Sequence, residues 1–133
     1  MDAQELAKIP LFSDLSEDDL AAVATYADEV TVSEGKNLVD EGGYAYELWA
    51  IIEGTAQVIV GGDVVAELGP GDFFGEAGVL EKQQRNATVV AKTRMRLVTL
   101  TGWDLRRMRK QLGPVMDKLE QAIEHRRQPV AEA

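Results

Sequence analysis

The run Ala56-Gln57-Val58-Ile59-Val60-Gly61-Gly62-Asp63-Val64-Val65-Ala66-Glu67-Leu68 decides the fold. Two stretches rich in β-branched residues flank Gly61-Gly62-Asp63, and paired glycines supply the positive φ that a tight hairpin turn requires. Two antiparallel strands are therefore predicted here. Working outward, the same texture runs from Glu29 to about Leu100, through Val30–Val32, Asn37–Val39 and Leu48–Ile52 on one side and Thr88–Ala91 and Leu97–Leu100 on the other. Gly35, Gly42, Gly54, Gly69 and Gly71 punctuate these runs and read as turn residues that need positive φ. Short strands joined by such turns predict a mainly β fold, an eight-stranded antiparallel β-roll of the jelly-roll type over residues 29–101, with helices on its flanks.

Helical periodicity brackets the roll. Ser16-Glu17-Asp18-Asp19 has the form of a capping box, and Leu20, Val23, Ala24 and Ala27 follow at helical spacing, so residues 16–27 read as an amphipathic helix. Ile9-Pro10-Leu11-Phe12 reads as an apolar elbow before it. Beyond the roll, Leu105, Met108 and Leu112 space one helical face, Gly113-Pro114 breaks the run, and Val115, Leu119, Ala122 and Ile123 form the stripe of a second helix. The expected organisation is one domain over residues 1–133: a helical segment 1–28, the roll 29–101, helices 102–127 and a frayed tail 128–133.

Composition narrows the function classes. Without a cysteine among 133 residues there is no disulfide framework, thiolate zinc site or cysteine nucleophile. His125 is the single histidine, so neither a histidine-rich metal site nor a Ser/His/Asp triad can be assembled. The net charge of −9 opposes direct nucleic-acid binding. No run approaches the roughly 20 apolar residues of a membrane span, and the N-terminus lacks a secretory layout, so no membrane association and a cytoplasmic location are expected. The charge is uneven: Arg106, Arg107, Arg109 and Lys110 make the first C-terminal helix basic, and a solvated face is the default reading of that run.

The chemistry concentrates where the strand pattern breaks, in Gly69-Pro70-Gly71-Asp72-Phe73-Phe74-Gly75-Glu76-Ala77-Gly78-Val79-Leu80 and the following Arg85-Asn86-Ala87-Thr88-Val89. Phe74-Gly75-Glu76 and the small residues after it suggest a single helical turn with free amides, which attracts an anion. Arg85 can fold back to meet a phosphate with its guanidinium fork. An ionised Glu76 accepts hydrogen bonds only, so beside an anion its natural partner is a hydroxyl such as a ribose 2′-OH. Anion, hydroxyl and an apolar base together describe a nucleotide.

These residues resemble the phosphate-binding cassette of the cyclic nucleotide-binding domain family, which includes the bacterial catabolite activator protein and protein kinase A regulatory subunits. Val32-x-x-Gly35-x-x-Leu38-x-x-Glu41-Gly42 and Leu48-Trp49-x-Ile51-Ile52-x-x-Gly54 are similar to the family's early strands. The resemblance implies a non-catalytic, stand-alone sensor whose ligand is cAMP, with cGMP as the alternative, and no metal. It implies that Arg85 pairs with the cyclic phosphate and Glu76 with the ribose, and that amides near Gly75, Ala77 and Ala87 complete the cradle, with Asn86 and Thr88 beside them. It also implies that the last helix covers the base, with Leu119, Ala122 or Ile123 against it. The readout would be an effector protein or domain, with a homodimer open.

A second reading is an interaction or dimerisation module whose roll holds no nucleotide, since Gln84, Asn86 and Ala77 differ from the residues common in the family. Trp49, Phe73 and Phe74 read as core rather than base-stacking groups, and Trp103 as an anchor for the first C-terminal helix. A purely ligand-directed Arg85 predicts that Arg85→Ala abolishes binding and leaves the ligand-free stability nearly unchanged.

Overall fold

Alternation of β-branched and polar residues forms strands because each pleat sends successive side chains to opposite faces. The computed structural model describes residues 1–43, 47–75 and 85–126. Eight strands lie among them: β1 (Asp28–Val32), β2 (Asn37–Val39), β3 (Glu47–Glu53), β4 (Ala56–Val60), β5 (Asp63–Leu68), β6 (Phe73–Phe74), β7 (Thr88–Ala91) and β8 (Met95–Thr101). They build two four-stranded sheets, in the orders β1-β8-β3-β6 and β2-β7-β4-β5, and every pairing is antiparallel. The β4–β5 hairpin closes on Val60 opposite Asp63, with Gly61 at φ 58° and Gly62 at φ 86°. Two-residue β6 escaped the periodicity argument because a strand that short shows no period.

Helices flank the first sheet. They are α1 (Ala3–Ala7), a 3-10 turn at Pro10–Phe12, α2 (Glu17–Ala24), α3 (Gly102–Gln111) and α4 (Gly113–Arg126). Ser16 caps α2, its hydroxyl accepting from the Asp19 amide at 3.2 Å. The reciprocal capping box lies instead at the start of α3, where Thr101 and Asp104 bond each other's backbone amides. Trp103 does not anchor that helix: it is 65% exposed, and Leu105 and Met108 hold α3 to the core. The reason is register, since a residue two places before Leu105 lies well off its face. Arg109 ties α3 to α4 through Asp117 and Glu120, each at 2.6 Å.

The central strands of the first sheet are buried on both faces. On β3 and β8, Leu48, Ala50, Val98 and Leu100 face outward and pack with helical residues such as Leu6, Phe12, Met108 and Leu119. Trp49, Ile51, Met95 and Leu97 face inward against Val58, Leu68 and Val89 of the second sheet. Two cores therefore share one sheet. Among the described residues no helix is long and apolar enough to cross a membrane.

Of the turn glycines, Gly35, Gly42, Gly54 and Gly71 have positive φ. Gly69 does not share that conformation, and its amide donates to the Asp72 carboxylate at 2.8 Å. Asp72 thus closes the Gly69-Pro70-Gly71-Asp72 turn from within, and the turn is pinned to β3 by Ile51 N–H to Asp72 carbonyl and Gly71 N–H to Ile51 carbonyl bonds of 2.9 and 3.0 Å. This turn carries the chain from the second sheet back to the first and delivers Phe73, Phe74 and Gly75.

Candidate functional site

An arginine in a glycine-rich loop is ordinarily a surface residue. Arg85 is 3% exposed. Its backbone is latched to the turn after β2, with the Gly42 amide donating to the Arg85 carbonyl at 2.7 Å and the Arg85 amide donating to the Gly43 carbonyl at 3.0 Å. Its guanidinium reaches β3 and the residue that follows β6. Nη1 donates to the Gly75 carbonyl at 2.8 Å and Nη2 to the Glu47 carbonyl at 2.7 Å. Two backbone carbonyls on different segments thereby fix the plane of the guanidinium, which is what a directional contact to an anion needs.

Gly75 makes this seat possible. Its φ is +88°, and a Cβ there would stand 2.6 Å from the Glu47 carbonyl oxygen and 2.7 Å from Arg85 Nη1. Only glycine lets the backbone here, β3 and the guanidinium approach this closely. Phe74, fully buried, stacks on Trp49 with centroids 6.1 Å apart and planes inclined by 11°, and so holds the residue before Gly75 against β3.

The neighbouring candidates separate into distinct environments. Ala87 is buried between the sheets. Thr88 uses its hydroxyl to accept from the Glu41 amide at 3.0 Å, while the Glu41 carboxylate accepts from the Gly61 amide at 3.0 Å, so both join the β2 turn to the roll and the β4–β5 hairpin. Asn86 is exposed. Glu76 and Ala77, together with Gln84 and the single helical turn expected after Gly75, lie outside the described residues. Leu119 and Ile123 are buried, and Ala122 half-buried, in the outer core with α1, α2 and the 3-10 turn. In this structure the stripe of α4 therefore faces the N-terminal helices, on the opposite side of the first sheet from the roll interior.

Sequence reading missed Glu47. Pleat alternation places it on the same inward face as Trp49 and Ile51, and its carbonyl is one of the two that seat Arg85. Burial pushes the Glu47 carboxyl above the ordinary carboxylate range, and the Arg85 charge opposes that rise without cancelling it. The signal available in the sequence was a carboxylate directly before the apolar run Leu48–Ile52.

A groove of about 380 Å³ opens elsewhere, lined in part by Glu5, Lys8, Ile52, Glu53, Pro70 and Arg96. Arg96 there is met by Glu53 at 2.7 Å, Glu29 at 3.0 Å and Glu5 at 4.0 Å, so its charge serves to hold α1, β1 and β3 together.

Comparison with known proteins agrees with the fold. A family model described as cyclic nucleotide-binding domain matches residues 29–111. The chain is 34% identical over 118 residues to a cAMP-dependent protein kinase regulatory subunit of Yarrowia lipolytica, covering 87% of this chain and 31% of that protein. Among solved structures it resembles the regulatory subunit of a cAMP-independent protein kinase A from Trypanosoma brucei, with TM-score 0.77, 29% identity, and coverage of 96% of this chain and 45% of that one. It also resembles the N-terminal domain of a transcriptional regulator from Streptomyces coelicolor, with TM-score 0.78, 26% identity, and coverage of 95% and 92%. The chain spans under a third of the length of the curated relatives it matches.

Proposed function

The chain belongs to the cyclic nucleotide-binding domain family, and from that membership we propose that it binds cAMP and acts as a non-catalytic regulatory module. The observation that carries the reading is the seat of Arg85, a guanidinium 3% exposed and oriented by the Gly75 and Glu47 carbonyls. Arg85 would pair with the cyclic phosphate, and Glu76 with the ribose 2′-hydroxyl. Amides near Gly75, Ala77 and Ala87 would complete the cradle, with Asn86 and Thr88 at its edge.

The output would be a movement of α4. Leu119 and Ile123 are 1% and 2% exposed in the outer core, and uncovering such side chains costs about 1.5–3 kcal/mol each. A ligand moves the helix only by contributing differential affinity of that order, through contacts to both roll and helix. The effector protein or domain that reads the movement would be coupled through α3 and α4.

Isothermal titration with cAMP and cGMP tests the reading. Saturable heat with cAMP, tighter than with cGMP, is the expected result. Silence from both nucleotides at millimolar concentration would instead favour a roll that serves as a docking or dimerisation surface.

A further inference from the structure

Resting on the cyclic-nucleotide reading above, we propose that Glu47 is a charge-selecting residue: its carboxylate on the inner face of β3 makes the site favour the singly charged cyclic phosphodiester over doubly charged phosphomonoesters. Three observations place it there. The carbonyl of Glu47 is 2.7 Å from Arg85 Nη2, so its Cα lies beside the guanidinium that would hold the phosphate. The pleat that sends Leu48 and Ala50 to the helices sends Trp49 and Ile51 into the roll, and Glu47 shares their parity. The side chain is half-buried, and its charge and that of Arg85 act on each other.

A carboxylate in that position is costly to bury and gains only part of the cost back from Arg85. A site designed for phosphate affinity alone has no use for it. Its use is discrimination, because repulsion from one fixed negative charge grows in proportion to the charge on the ligand. A cyclic phosphodiester carries one negative charge. A phosphomonoester carries two once the pH is well above its second pKa of about 6. The same adenosine body can therefore be sorted by phosphate charge without any contact to the base.

The test is displacement of a fluorescent cAMP analogue by cAMP and by 5′-AMP at pH 8, in the full chain and in Glu47→Gln. Removing one charge should tighten cAMP by about threefold to tenfold and 5′-AMP by about the square of that factor, so that selectivity for the cyclic ligand falls. Glu47→Asp keeps the charge and should keep most of the selectivity. Glu47→Thr, neutral and suited to a strand, repeats the measurement if circular dichroism shows the Gln variant unfolded. A gain for 5′-AMP no larger than the gain for cAMP, including no displacement by 5′-AMP at 10-millimolar order from any variant, overturns the proposal. If the parent chain binds neither cAMP nor cGMP, the functional reading itself falls and takes the proposal with it.

Discussion

Replacing Gly75 by alanine should damage the protein in two separable ways, and a second glycine supplies the control. Gly35 has the same φ of +88° as Gly75, but a Cβ on Gly35 would meet nothing within 4 Å. Gly35→Ala therefore carries only the backbone penalty of a left-handed conformation, about 1 kcal/mol after allowing for the reduced freedom of the unfolded chain. Gly75→Ala carries that penalty and also drives a methyl group to 2.6 Å from the Glu47 carbonyl and 2.7 Å from Arg85 Nη1. Relief requires the guanidinium or β3 to move, which forfeits at least one hydrogen bond made by a charged donor, worth about 1.5–3 kcal/mol. The total is about 2.5–4 kcal/mol. For a chain of 133 residues the entropy of unfolding converts 1 kcal/mol into about 3.5 °C. Thermal denaturation without ligand should thus show Gly35→Ala lower by about 3–4 °C and Gly75→Ala by about 9–14 °C. Titration should find cAMP binding kept in the first and lost in the second. Equal melting temperatures for the two variants would refute the close packing of Gly75 against the Glu47 carbonyl and the Arg85 guanidinium.

Arg85→Ala is expected to lower ligand-free stability as well as abolish cAMP binding, because the Gly75 and Glu47 carbonyls lose their donor, at roughly 3–6 kcal/mol together. The seat of the side chain thus replaces the expectation of an arginine dispensable for stability, and an unchanged ligand-free melting curve would restore it. The raised pKa of Glu47 gives a pH dependence with a definite sign. The folded chain takes up this proton at a higher pH than the unfolded chain, so stability from this group falls as the pH rises from about 4 through the Glu47 value. The melting-temperature difference between the parent and Glu47→Gln should therefore shift against the parent across that window. A flat difference would mean that the folded and unfolded chains hold this proton equally well, the Arg85 charge offsetting any cost of burial.

Local chemistry made much of this protein legible in advance. A Gly61-Gly62-Asp63 turn between β-branched runs can hardly be anything but a hairpin, and Pro114 must break a helix. These depend on bonds within a few residues. What required the tertiary structure were contacts between segments far apart in the chain. Arg85 bonds Gly75 ten residues away and Glu47 thirty-eight away, and no spacing rule announces a carbonyl as a partner. Trp103 is exposed and Leu119 is covered because α3 and α4 rotate to fit a sheet whose outer face the N-terminal helices also share. Pattern along the chain sets which face of an element is apolar; only the assembled sheets decide what that face meets, because burial is a property of the whole packing and not of any one residue.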